Sequence, residues 1–446
     1  MSGLTPRTPL NPREYAFIIP GITPRTLDLS KHLLEKNHTE HHIFFNEDGF
    51  HNHLIHHLLA AYSMGADTRR LQEIYDFHAS YQRKLPPPLQ DLDRNNFRSQ
   101  LGNRDAYTSF LNMFTKEIDE YGMIETVRRW VWSEDFLART VGGAYHPLIH
   151  LGYALEFDLP KVAAEALAMA ACTEANLSPL VSKQPAIKST IEPVARESKL
   201  SQLASDVASR LNIAVTHTTQ KELENALKDN AIISVVQEIQ KDTDFDDVVK
   251  FKDSNKIRKF LGNEKAVNKL KTYTSKWKVE GDKIEERMKE LYMACVLVFA
   301  ASGIRERGTK LDFFLAHAVT SIHAVHILLP HLNVDEAASL LEAHAATTLA
   351  YYVSRGRPSL QFDLLAEYET PLADKNALNP WLSIFNRALK AQEEHVIKVV
   401  RACAVGQIIY GSQTSFEQSW MKAAEVTLDI DGNWDHKGIG FDEDWK

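Results

Sequence analysis

Gly49-Phe-His-Asn-His-Leu-Ile-His-His-Leu-Leu-Ala-Ala-Tyr62 sets four histidines into an apolar run. Read as a helix, the run gathers Leu54, Ile55, Leu58, Leu59 and Tyr62 into a broad apolar stripe. His53 then shares a face with both His56 and His57, because residues three and four apart are neighbours on a helix. Imidazole is a mediocre helix former and a poor core filler. Several on one buried helix therefore need a chemical reason, and metal ligation or acid/base chemistry is the leading one. The competing reading is a solvated helix face with scattered histidines.

Around this run the chain reads as helix after helix. The helix extends to Met64 and stops at Gly65, a suitable C-terminal cap. Upstream, residues 1–30 are proline-rich and irregular, helix signals begin near Leu27, and His38 to Asp48 is polar. A second helix from Asp67 to about Arg83 ends at Pro86-Pro-Pro88. Apolar residues at three- and four-residue spacing from Phe110 to Val131 predict one amphipathic helix over 107–132. In Gly142-Gly-Ala-Tyr-His-Pro-Leu-Ile-His-Leu-Gly-Tyr153, Pro147 suits a first helical turn, so His146 stands at a helix N-terminus with His150 one turn on. Residues 160–173 form a buried alanine-rich helix.

The stretch 176–285 changes character: a Pro/Ser/Lys linker comes first, then helices at 202–211 and 222–240, then a Lys- and Asp-rich run. Buried helices resume at 282–301, at 310–330 with His317, His323 and His326, and at 334–353 with His344. The last long helix covers Trp381 to Tyr410 and carries His395 and Lys398. Beyond Gly411 the tail turns irregular and acidic. With neither a strand-rich region nor a fixed repeat, the expectation is an all-α protein: a large multi-helix bundle around an apolar cavity, with a helical insertion and an irregular C-terminal tail. Three parts are expected: 1–180, 181–285 as linker and insertion or lid, and 286–446.

With 51 Lys and Arg against 59 Asp and Glu, the net charge is −8 and well mixed, which argues against nucleic acid or an anionic membrane as the main partner. Cys172, Cys295 and Cys403 are odd in number and far apart, so neither a disulfide framework nor a cysteine zinc site is expected. The N-terminus lacks the apolar stretch of a signal peptide, and the longest uninterrupted apolar run, Leu291–Ala301, is about half a membrane span. A cytoplasmic location is the expectation. Of the 19 histidines, seven fall between His38 and His57, and that is where chemistry is to be sought.

There is no Gly-x-Gly-x-x-Gly, Walker loop, Gly-x-Ser-x-Gly, Cys-x-x-Cys or His-Glu-x-x-His in the sequence. Flavin on a Rossmann domain is thereby disfavoured. A di-iron site needs two buried Glu-x-x-His helices, and Glu35 to His38 is a single polar instance. What remains is His57 with His53, His146, His317 and His395, on four helical segments whose convergence would build a metal centre. Imidazole suits iron, copper, zinc or nickel alike. His150, His323, His326 and His344 read as structural or outer partners, and His32, His38, His41, His42, His217 and His436 as exposed. Lys398 faces the same way as His395. Buried, its amine would lose its proton more readily and act as a base, or take up carbon dioxide as a carbamate and serve as an anionic ligand. A lysine reaching the surface or pairing with Glu394 is the plain alternative.

Four blocks in order carry a resemblance: Gly49 to Ala66, Gly142 to Tyr153, Leu311-Asp-Phe-Phe-Leu-Ala-His-Ala-Val-Thr-Ser321 and Glu394-His-Val-Ile-Lys398. They resemble the questin oxidase-like family from about residue 40 to Gly438-Ile-Gly-Phe-Asp-Glu443, most weakly over 180–255. The resemblance implies oxidation of aromatic polyketides, notably oxygen insertion into and ring opening of anthraquinones, by Baeyer–Villiger-type oxidases that lack the usual flavin motifs. It implies metal positions at His57 or His56, His146, His317, His395 and Lys398. The expectation is an oxygenase using O2 at a histidine-rich non-haem iron centre. Tyr145, Tyr153 and Phe314 would stack on the substrate, and His53 or His150 would take the phenol proton. The alternatives are an NADPH-dependent Baeyer–Villiger-type oxidase without a bound metal, a zinc-dependent hydrolase, and a non-catalytic helical scaffold.

Overall fold

The computed structural model describes residues 16–181, 231–374, 376–411 and 417–446. Among them eighteen α-helices build the fold, with one antiparallel ribbon of two-residue strands, Ile304–Arg305 and Gly308–Thr309. The all-α expectation holds. The helices are α1 (Pro24–Glu40), α2 (Leu54–Ser63), α3 (Thr68–Ala79), α4 (Tyr107–Tyr121), α5 (Met123–Val131), α6 (Phe136–Thr140), α7 (His146–Glu156) and α8 (Pro160–Cys172). Then follow α9 (Ala231–Lys241), α10 (Lys256–Leu261), α11 (Glu264–Thr274), α12 (Ile284–Ser302), α13 (Phe313–Leu328) and α14 (Val334–Ser354). The last four are α15 (Phe362–Ala366), α16 (Pro380–Ala388), α17 (Glu394–Tyr410) and α18 (Glu417–Ile430). The helix expected over 202–211, and His217, lie outside the described residues.

The core is centred on α13, which is buried continuously from Leu315 to Leu328. Its sequence is apolar all round, as burial on every side requires. Helices α7, α12, α14 and α17 surround it, and α2 packs against α1, α3, α7 and α17. The stretch Phe313–His331 has the length and apolarity of a membrane span, and 83% of that window is buried inside the fold. The three cysteines are free and buried.

Several expectations are corrected. The helix of the opening stretch starts only at Leu54. His51 is held in a bridge with Phe44, while Asn52 bonds Asn37 at 2.9 Å and accepts from the Leu54 N–H at 3.0 Å, so residues 51–52 are tied to the 41–44 strand-like segment. That segment is not a wet loop: His42, Ile43 and Phe44 are buried. The helix expected over 107–132 breaks in two at Gly122, whose φ of 80° and ψ of 159° lie where side chains are strongly disfavoured. Trp381–Tyr410 is likewise two helices, α16 and α17. The tail beyond Gly411 contains α18, which docks on α17 through buried Trp420, Ala423, Ala424 and Val426. The described part of 181–285 is not mostly solvated: α9, α10 and α11 lay an apolar face (Ile239, Phe260, Leu270) against α12 and α14.

Candidate functional site

Four histidines converge from four segments. His53 is the N-cap of α2, His146 opens α7, His317 lies one turn into α13 and His395 lies in the first turn of α17. All are buried, and one ring nitrogen from each lies within 4.8 Å of the others. Local sequence fixes each position. His146 follows three residues with positive φ, Gly143 (54°), Ala144 (52°) and Tyr145 (62°), a left-handed turn that resets the chain before Pro147 starts α7. Asp312 caps α13 through the N–H groups of Phe314 and Leu315, and Glu393 caps α17 through those of His395 and Val396.

Hydrogen bonds on the outer side decide where the ring protons sit. His146 Nδ1 donates to the Gly143 carbonyl at 2.6 Å, and His317 Nδ1 to the Phe313 carbonyl at 2.7 Å. His395 Nδ1 donates to the Glu393 carboxylate, and His53 Nδ1 faces Glu394 at 3.4 Å. Burial holds His146 down to about 3 despite the carbonyl that favours its charged form, and pushes His53, His317 and His395 well below the ordinary histidine range. With Nδ1 protonated and the rings neutral, His146, His317 and His395 present Nε2 as a bare lone pair, and His53 does the same when its Nδ1 carries the proton toward Glu394.

Those lone pairs face one another. His53 Nε2 lies 2.7 Å from His146 Nε2, and His317 Nε2 lies 3.1 Å from His395 Nε2. Two bare acceptors at such a distance repel, whereas a cation between them converts the repulsion into coordination. Metal–imidazole bonds of about 2.0–2.1 Å place ligand nitrogens up to about 4.2 Å apart. The four rings therefore need little movement to hold one ion. Backbone carbonyls and carboxylates behind the rings are the usual outer partners of metal-bound histidine. The residues present fit a metal, and imidazole by itself does not choose among iron, copper, zinc and nickel.

Lys398 lies one turn beyond His395, 2% exposed, and its Nζ has no hydrogen-bond partner among the described residues. Burial lowers its pKa, opposed by the charges of Glu394 and Glu393. Burial, followed by the Glu393 charge, raises Glu394. Lys398 lines a cavity of about 10 Å³ with Tyr153, Glu156, Thr320, His323 and Arg401, where Arg401 and Glu156 are paired.

Of the sequence candidates, His146, His317 and His395 meet in the cluster together with His53, expected as a base. His57 and His56 stand elsewhere. His57 Nδ1 is 3.1 Å from His78 Nε2, and His78 Nδ1 receives the Tyr81 hydroxyl at 2.5 Å. His56 bonds His150, which stands behind it rather than at the cluster. The cause is the late start of α2: as the cap residue, His53 leaves the helical path on which its spacing aligned it with His56 and His57, which themselves face His150 and His78. Tyr145 is fully buried, its hydroxyl bonded to Thr348 at 2.9 Å and its ring beside His344 and Tyr351. Tyr153 stacks on His56, and Phe314 on Tyr351. Beside the cluster stand instead His51, stacked on His146 at 4.0 Å, and Phe313, 4.6 Å from His317 and 4.8 Å from His395, half-buried beside the exposed His436. Sequence reading missed Phe313, Glu393 and Glu165. Glu393 carried a usable signal, an acidic residue just before a helical histidine. Of the histidines expected to be exposed, His42 is buried, His38 and His41 are half-buried, and His32 and His436 are exposed.

A questin oxidase of Aspergillus fumigatus is 28% identical over 94% of this chain and 93% of its own length. A Baeyer–Villiger oxidase of Pestalotiopsis microspora is 28% identical over 87% and 83%. A Baeyer–Villiger monooxygenase of a Cryptosporiopsis species is 26% identical over 98% and 97%. The chain is an oxidoreductase, and the hydrolase and scaffold readings fall away. The family description "Questin oxidase-like" matches residues 50–403, which span all four clustered histidines and Lys398, and the chain belongs to the questin oxidase-like family.

Proposed function

We propose that this protein is an oxygenase that uses O2 to insert oxygen into, or open, a ring of an aromatic polyketide of the anthraquinone type, with non-haem iron as its metal. The observation that carries the metal part is the convergence of four buried imidazoles whose ring nitrogens lie within 4.8 Å of one another, three of them anchored by Nδ1 hydrogen bonds and His53 facing Glu394. His53, His146, His317 and His395 would hold the ion. Lys398, as a carbamate formed when its neutral amine adds carbon dioxide and releases a proton, would supply an anionic ligand. When bound, the iron supplies the activation of dioxygen. The names of the relatives support the reaction type and the substrate class.

The chain's own residues bind, orient and exclude water. Phe313, in edge contact with His317 and His395, offers a flat apolar face at the partly exposed margin of the cluster, suited to a planar ring. The surrounding apolar helices keep water from the histidines, so each electrostatic interaction inside is stronger than in solvent. Glu393 and Glu394 hold the His395 and His53 protons on the outer nitrogens and keep the inner ones free.

The test is metal content of the purified protein followed by oxygen uptake with a hydroxyanthraquinone. Near-stoichiometric iron and substrate-dependent uptake without NADPH is the expected result. No metal together with strict NADPH dependence would replace the iron reading by a cofactor-driven oxidase. Full metal content and an unmodified lysine mass in Lys398→Ala and wild type, respectively, would remove the carbamate.

A further inference from the structure

The last segment of the chain runs across the starts of two ligand-bearing helices. After α18 the backbone turns at Asp431 (φ 46°) and Gly432 (φ 78°). A Cβ on Gly432 would stand 2.7 Å from the Glu393 Cβ, so glycine lets the backbone pass close to the cap of α17. Trp434 and Asp435 then lie beside the first turns of α17 and α13.

These two residues meet the groups that hold the cluster imidazoles from behind. Trp434 is 7% exposed, and its Nε1–H donates to Glu393 Oε2 at 2.7 Å. Glu393 Oε1 accepts from His395 Nδ1–H. The indole ring itself stands edge-on to His395 at 6.3 Å. The Asp435 carbonyl accepts the Phe313 N–H at 2.9 Å, and the Phe313 carbonyl accepts His317 Nδ1–H at 2.7 Å. One dipeptide thus lies two hydrogen bonds from His395 along one arm and two from His317 along the other. The Nε2 atoms of that pair of rings are 3.1 Å apart.

The dipeptide is itself firmly held. The Asp435 N–H donates to the Leu311 carbonyl at 2.8 Å, so Asp435 pairs with both neighbours of Asp312, the cap of α13. Arg355 donates from Nε to Asp312 Oδ2 at 2.7 Å and accepts the Gly440 N–H on its carbonyl at 3.0 Å, which binds the tail and the cap together. Arg305 donates to the Ile439 carbonyl at 2.7 Å. On Glu393, Oε2 accepts the indole N–H together with the backbone N–H groups of His395 and Val396. Three donors on one oxygen fix the carboxylate plane and aim Oε1 at the His395 ring. Removing the indole donor lets that plane rotate, and a ligand set tolerates a misplacement of only about 0.5 Å.

We propose that Trp434 is a positioning residue of the metal site, which holds His395 through Glu393 at a set separation from His317, with Asp435 anchoring it to α13. The proposal rests on the metal reading above. Trp434 acts on the ion only through Glu393, as outer partners of metal-bound histidine do.

The experiment titrates cobalt(II) into the purified full-length protein freed of metal by a chelator, and reads both the affinity and the visible absorption of the bound ion. Trp434→Phe keeps an aromatic ring and loses the N–H. It is expected to bind cobalt about tenfold more weakly, with an altered absorption band. Trp445→Phe makes the same change at an indole that donates to the Ile439 carbonyl of the tail, and is expected to bind as wild type does. Added to Glu393→Ala, Trp434→Phe is expected to have little further effect, because the group it acts through is gone. Wild-type affinity and absorption in Trp434→Phe would overturn the proposal, and so would an undiminished loss in the Glu393→Ala background. Trp434→Tyr repeats the measurement should Trp434→Phe fail to fold. Should wild type bind no cobalt, the metal reading fails, and the positioning is read in the metal-free protein by hydrogen exchange. Exchange at least fivefold faster in the first turn of α17 in Trp434→Phe, with α8 unchanged, supports it; equal exchange in both proteins overturns it.

Discussion

His53 and His57 differ by one helical turn and have different fates, which shows how much a cap residue decides. His53, at φ −96° and ψ 1°, leaves the helical path and turns its ring to His146, whereas His57, inside α2, bonds His78. Spacing alone put them on one face because it assumed the helix began earlier. That the histidines were chemical was legible, since buried imidazoles on apolar segments need a partner. Which of them pointed inward was not, because the Asn52 and His51 contacts that start the helix come from residues 37–44. The expected outcome at this scale is a contrast. His53→Ala lowers metal affinity by about tenfold or more. His57→Ala keeps its metal and loses about 1–3 kcal/mol of stability by taking the partner from His78 Nε2, which keeps only its Tyr81 bond at Nδ1. Metal per chain and denaturant unfolding measure both, and a metal-free His57→Ala would return His57 to the ligand set.

Helix α7 carries His146 and α13 carries His317, so the approach of these two helices sets the separation of two ligands. Gly152 permits that approach: a Cβ there would stand 2.8 Å from the Ala324 Cα. The backbone of α13 cannot yield without moving His317. Gly152→Ala is expected to cost about 1–3 kcal/mol by overpacking, and to weaken metal binding although it lies two turns from His146. Thermal unfolding and metal titration test this, and unchanged metal affinity with lowered stability would separate packing from site geometry. At this scale the buried helices were the legible part. Val334–Ser354 was found nearly to the residue because its apolar pattern is continuous and Asn333 with Glu336 forms a capping box. Helix breaks were less legible. Gly122 reads as an ordinary glycine until its backbone angles are known, and α18 was overlooked because its acidic residues hide the apolar face that α17 covers.

Across the whole molecule, the pair of Glu165 and His38 ties stability to pH: buried Glu165 accepts from His38 Nδ1–H at 2.5 Å and from His150 Nε2–H at 2.8 Å. The carboxyl is depressed from 4.5 to about 2, so its contribution is present above about pH 4.5 and fades as pH falls toward 2. His38 is raised from 6.5, so its contribution is full below about pH 6.5 and is lost as pH rises through the raised value. Both act together between about pH 4.5 and 6.5. Glu165→Gln should therefore fall behind wild type most in that window, by about 3 kcal/mol, with a smaller deficit on either side. Urea unfolding across pH measures it, and a deficit independent of pH would show that the pair contributes packing alone. By itself the sequence determined the helical class, the apolar helices and a list of histidines that contains all four clustered ones. Hydrophobic periodicity and side-chain chemistry are local properties, written in neighbouring residues. Only the tertiary structure decided that His53 joins His146, His317 and His395, that Glu393 and Glu394 back the rings, and that Glu165 joins His150 to His38. Those pairings join residues far apart in the chain, His38 with Glu165 at a separation of 127 and His53 with Glu394 further still, and they exist only once α1, α2, α7, α8, α13 and α17 have packed.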